Sequence, residues 1–69
     1  MKELAPHQQR VVVERDELSA KIHKLSDFIA ATAQSIFATL PRDEQFRLRI
    51  QLKLMILYRD ILDERIAAF

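Results

Sequence analysis

The chain contains no cysteine, no glycine and no tryptophan, and only two prolines, in 69 residues. Without cysteine, disulfides and thiolate metal sites are excluded. Without glycine, the P-loop, the dinucleotide-binding turn and every other Gly-rich phosphate cradle go too. Tight type I′ hairpin turns are lost as well, which with few β-branched alternations argues against a sheet. The two histidines, His7 and His23, have no HxxxH or HExxH spacing and fall on different helix faces, so neither a metal nor a cofactor is expected. Charge of one sign is also lacking. Eleven Lys/Arg against 10 Asp/Glu give a net +1, which offers little steering toward nucleic acid. The uncharged stretch from Phe28 to Leu40 is too short to span a bilayer and carries Thr32, Gln34, Ser35 and Thr39, so no membrane association is expected. Met1-Lys2-Glu3 leads into polar helix rather than a secretory leader, so the expected location is the cytoplasm. A chain of this size buries only about 60% of its unfolded surface and usually needs disulfides, metal or association. Association is the option left.

What is present is helical. Pro6 suits a first helical turn, where its missing N–H costs nothing. Val11, Leu18, Ile22, Leu25 and Ile29 then recur as one narrow seam, broken only by Arg15. Over residues 30–40 the pattern weakens. Thr32, Ser35 and Thr39 favour caps, and Ile36, Phe37 and Leu40 are read as a short apolar turn plugging the end of a hairpin. Pro41 starts a last helix, with Asp43 and Glu44 at its positive end and Arg65 near its negative end. The expected fold is all-α, one domain over residues 1–69. It is a long antiparallel helical hairpin, with helices at about 6–31 and 42–68 and a short helical elbow at about 32–41, packed into a homo-oligomeric bundle.

The last helix is the most telling segment. Phe46, Ile50, Leu54, Leu57 and Ile61 form one apolar stripe, and Leu48, Leu52, Met55, Leu62 and Ile66 form a second, roughly 100–150° further round. A hairpin helix needs one stripe, so the second is expected to meet another subunit or a ligand.

Two groups of residues offer chemistry. On the first helix Arg10, Glu14, Glu17, Lys21, Lys24 and Phe28 share a sector of roughly 80° beside the seam. This is either a solvated face laced by Arg10–Glu14 and Glu17–Lys21 pairs, or a charged wall with cations for phosphates and Glu14 for a base or ribose edge. On the last helix Arg47, Gln51, Tyr58 and Arg65 lie inside the apolar arc, with Gln51 and Tyr58 flanking Met55. They form either a hydrogen-bond set that fixes helix register or a ligand site in which Tyr58 stacks or donates and Gln51 reads an edge. Asp60, Asp63 and Glu64 are expected to face solvent, and Ser19, Ser26 and Ser35 have no His–Asp partners, so no catalytic residues are assigned.

The spacing Gln9-Arg10-Val11, Glu14, Leu18, Lys21, Lys24-Leu25, Phe28 resembles a pattern in small tailed-phage proteins described as related to a crAss-like phage protein. The run Glu44, Leu48, Gln51-Leu52, Met55, Tyr58, Leu62, Arg65-Ile66 continues it, and the chain departs from it around residues 30–33, where the elbow carries extra small residues. The resemblance implies an anti-defence sponge of anti-CBASS or anti-Thoeris type, acting in the host cytoplasm. Its ligand would be a cyclic oligonucleotide or ADP-ribose derivative, held without turnover. By the same resemblance the ligand-binding positions are Arg10, Glu14, Lys21, Lys24, Gln51 and Tyr58.

Two other functions fit the same residues. The free apolar stripe would also suit an inhibitor or adaptor that docks a host protein. The cluster Arg42, Arg47, Arg49 and Lys53 is a weak case for nucleic acid, since the balanced charge and the absence of a helix-turn-helix turn speak against it.

Overall fold

The computed structural model of the chain describes residues 3–31 and 35–69. It consists of α1 (Pro6–Ala30), α2 (Ile36–Thr39) and α3 (Arg42–Ala67), with α1 and α3 packed antiparallel and α2 between them. Each long helix ends within a residue of the sequence expectation. The N-cap of α1 is Ala5, which has no side-chain acceptor, so the Gln8 Oε1 accepts the Ala5 N–H at 2.8 Å instead. The Gln9 amide donates to the Leu4 carbonyl at 3.1 Å and ties down the incoming chain. At the start of α3, Pro41 is extended and Asp43 and Glu44 occupy the first turn, while Arg65 lies in the last. Both ends therefore carry the charge that opposes the helix dipole.

The α1 seam packs as its spacing predicts, with Val11 and Ile22 buried and Leu18, Leu25 and Ile29 half-buried. Arg15 occupies the break in the seam. Its Nε is shut off from solvent and lies 3.4 Å from carboxylate oxygens of both Asp16 and Asp63, without the alignment of a hydrogen bond. Asp63 is exposed, as expected, and its carboxylate also reaches toward α1.

The structure decides between the two stripes of α3, and the outcome reverses the order expected. Leu48, Leu52, Met55, Leu62 and Ile66 turn toward α1, with Leu62 fully buried. Phe46, Ile50, Leu54, Leu57 and Ile61 are left bare, 64%, 38%, 61%, 61% and 54% exposed. The reason is that α1 offers one narrow seam, which covers one stripe and no more.

In the elbow, Ser35 caps α2 by accepting the Ala38 N–H, and Phe37 is buried as the plug. The Phe28 ring meets Phe37 edge-on at 5.8 Å, and the Arg49 guanidinium lies over the Phe37 ring at 5.3 Å. Gln45 reaches back from α3 and donates to the carbonyls of Leu40, at 2.9 Å, and Ala38, at 3.5 Å. Ile36 is not part of the plug: it is 71% exposed, because a single helical turn can point only one of two adjacent side chains inward. The expectations placed on Thr32 and Ala33 lie outside the described residues.

The hairpin measures 48 × 16 × 14 Å and has a radius of gyration of 15.6 Å. A compact chain of this length would have about 11 Å. Only Val11, Ile22, Phe37 and Leu62 are buried among the described residues. The molecule is a two-helix slab with a one-layer core.

Candidate functional site

The charged sector of α1 and the polar strip of α3 emerge on the same side of the hairpin. Glu14 borders the α1 seam, and Tyr58 borders the buried stripe of α3. The Tyr58 hydroxyl donates to a carboxylate oxygen of Glu14 across the interface. This contact fixes the lateral register. With Glu14 level with Tyr58, antiparallel geometry sets Lys21 near the height of Gln51 and Arg10 toward Arg65.

The Tyr58 proton is held more tightly than in a free phenol. The hydrogen bond to Glu14 is the main cause, partial desolvation adds to it, and the Glu14 charge itself raises the cost of a second anion nearby. Arg65 pulls the other way, which places its guanidinium within electrostatic reach of the pair.

All six expected ligand positions, Arg10, Glu14, Lys21, Lys24, Gln51 and Tyr58, are exposed. Glu14 and Tyr58 are brought into contact. The Gln51 amide approaches the Met55 sulfur at 3.9 Å, so these two neighbours on α3 do associate. Lys21 and Lys24 stand free of ion pairs among the described residues. The i,i+4 pairs expected along α1 do not close either. Arg10 finds Glu14 already engaged by Tyr58, and Glu17–Lys21 remains open, as befits a solvated pair worth only a few tenths of a kcal/mol. On α3, Arg47 is committed to Glu44 at 3.1 Å. His23 satisfies its Nδ1–H on the Ser19 carbonyl at 3.0 Å, away from any second histidine.

A shallow groove of about 420 Å³ runs along α1, lined by Pro6, Gln9, Arg10, Val13, Glu14 and Glu17. Sequence reasoning found Arg10 and Glu14 but missed Pro6, Gln9 and Val13 as lining. For Pro6 and Val13 the helical face was the available signal, since both lie within about 60° of Arg10 and Glu17. Every lining residue comes from one helix, so the groove has a floor and no opposing wall. Chemically the face offers cations, the carboxylates of Glu14 and Glu17, the amides of Gln9 and Gln51 and a phenol ring. That set suits recognition of a polar, phosphate-bearing molecule. Among the described residues no His/Asp/Glu group could hold a metal, and no helix is long and apolar enough to cross a membrane.

Compared with known proteins, residues 5–68 match a family model described as Sequestin. No curated protein and no solved structure matches the chain.

Proposed function

The chain belongs to the Sequestin family, a sequestering-type family, and on that premise we propose that it captures a small phosphate-bearing signal without turning it over. The ligand class is a cyclic oligonucleotide or an ADP-ribose derivative, held in clefts between protomers. The carrying observation is the match across residues 5–68. The polar face agrees with it. Arg10, Lys21 and Lys24 set three cations on one face of α1, which suits a phosphate-bearing ligand. Glu14 and Gln51 are positioned to read base or ribose edges, and the half-exposed Tyr58 ring supplies a stacking platform. Sequestration needs affinity and copy number rather than a nucleophile or general base, in keeping with a site built from binding groups alone. In a tailed phage such a protein would blunt a host immune signal.

Native mass spectrometry of the protein with cyclic di- and trinucleotides and cyclic ADP-ribose isomers tests this. A fixed number of ligand masses per oligomer is expected. Removing one cation, in Arg10→Ala or Lys21→Ala, should weaken binding about tenfold, the effect of one charge-assisted hydrogen bond. No adduct across the whole panel would reject a nucleotide ligand.

A further inference from the structure

We propose that the bare stripe of α3 is the surface on which a second copy of this chain packs, α3 against α3, antiparallel about a two-fold axis beside Leu54. The stripe is close to symmetric about its own middle. In antiparallel pairing Phe46 comes level with the partner's Ile61, Ile50 comes level with the partner's Leu57, and Leu54 faces the partner's Leu54. All five residues are already turned outward.

The charges at the ends of α3 fit the same arrangement. On one flank of the stripe it sets Arg42 within one residue, about 1.5 Å, of the height of the partner's Glu64, and on the other flank it sets Asp43 equally close to the height of the partner's Arg65. The two-fold repeats both pairs at the other end. Among the described residues none of Arg42, Asp43 and Glu64 is engaged in an ion pair within its own chain. The charge pattern thus suits a second copy packed in this orientation.

This interface deepens the sequestration reading by naming the surface that brings protomers together. On one side of the α3–α3 contact it sets Tyr58 nearly level with the partner's Gln51, so the polar strips of both protomers border one cleft. The interface itself depends on no ligand.

The chain has no native cysteine, so single cysteines can report the pairing without background. Under mild oxidation Leu54→Cys alone should give a disulfide-linked dimer. Phe46→Cys and Ile61→Cys should each stay unlinked alone but cross-link when mixed. In the proposed pairing position 46 and its two-fold copy lie roughly 22 Å apart along the axis, far beyond the reach of about 7 Å between Cα atoms. Self-linking of Phe46→Cys and of Ile61→Cys would mean parallel packing and overturn the proposal, as would failure of both Leu54→Cys and the mixture. Light scattering gives an independent reading. The native chain should be at least a dimer, and Leu57→Glu should lower its mass. A native chain that stays monomeric would leave the stripe to a different protein and overturn the proposal. If the cross-links form and no nucleotide binds, the ligand reading fails and the interface stands. If nucleotide binds and no cross-link forms, the reverse holds.

Discussion

Tyr58 is the only tyrosine and the chain has no tryptophan, so the near-ultraviolet absorbance of tyrosinate reports one group. Its titration midpoint should lie above the ordinary value of 10.0, because ionisation breaks the bond to Glu14 and places two anions together. Glu14→Gln should bring the midpoint down. The sign for stability follows. A folded-state value above the unfolded one favours the native state at pH below 10.0, and that contribution disappears as pH rises through the folded value. Unfolding midpoints followed across the alkaline range should fall more steeply for the native chain than for Tyr58→Phe. Phe37 and Ile36 offer a second contrast. Phe37→Ala should cost about 3–5 kcal/mol, enough to threaten so small a core, whereas Ile36→Ala, at a site 71% exposed, should stay within about 0.5 kcal/mol. Denaturant midpoints distinguish them. The sequence pointed to Tyr58 as a polar group in an apolar arc, but not to Glu14 as its partner. Periodicity reports angles within one helix and says nothing of the lateral register between two.

At the scale of elements, the long helices were legible because their signals agree. Pro6 and Pro41 mark the starts, Asp43, Glu44 and Arg65 match the dipole, and the Val11–Ile29 seam has one period throughout. The elbow was legible only as a plug. Ile36 and Phe37 are equally apolar neighbours, and only the approach of Phe28 and Arg49 selects Phe37. Which stripe of α3 faces α1 was not legible either, because both stripes suit a narrow seam equally well. Arg15 is the element-level exception, a cation in an apolar seam whose Nε is shielded from water without a hydrogen bond. Arg15→Leu should complete the seam and stabilise the hairpin by about 1 kcal/mol, since imperfect ion pairs at partly buried sites seldom repay desolvation. A rise in urea midpoint at unchanged m-value would bear this out; a fall would show that the Arg15–Asp63 attraction outweighs the lost packing.

At the scale of the whole molecule, a slab 48 Å long and only 14–16 Å across cannot hide two apolar stripes. Covering five half-exposed side chains is worth on the order of 5 kcal/mol per protomer, comparable to the entire stability of a small domain. Folding and association should therefore be coupled, and thermal stability should depend on concentration. For a dimer of 69-residue chains the unfolding enthalpy is roughly 100 kcal/mol near 60 °C, so each tenfold dilution should lower Tm by about 5 °C. Leu54→Glu should remove most of that dependence and unfold at lower temperature at every concentration, because it places a charge in the stripe without touching the α1–α3 core. Calorimetry over a hundredfold range of protein concentration decides the matter. A Tm that does not move would mean that the one-layer core holds the hairpin alone and that the bare face of α3 contributes nothing to its stability.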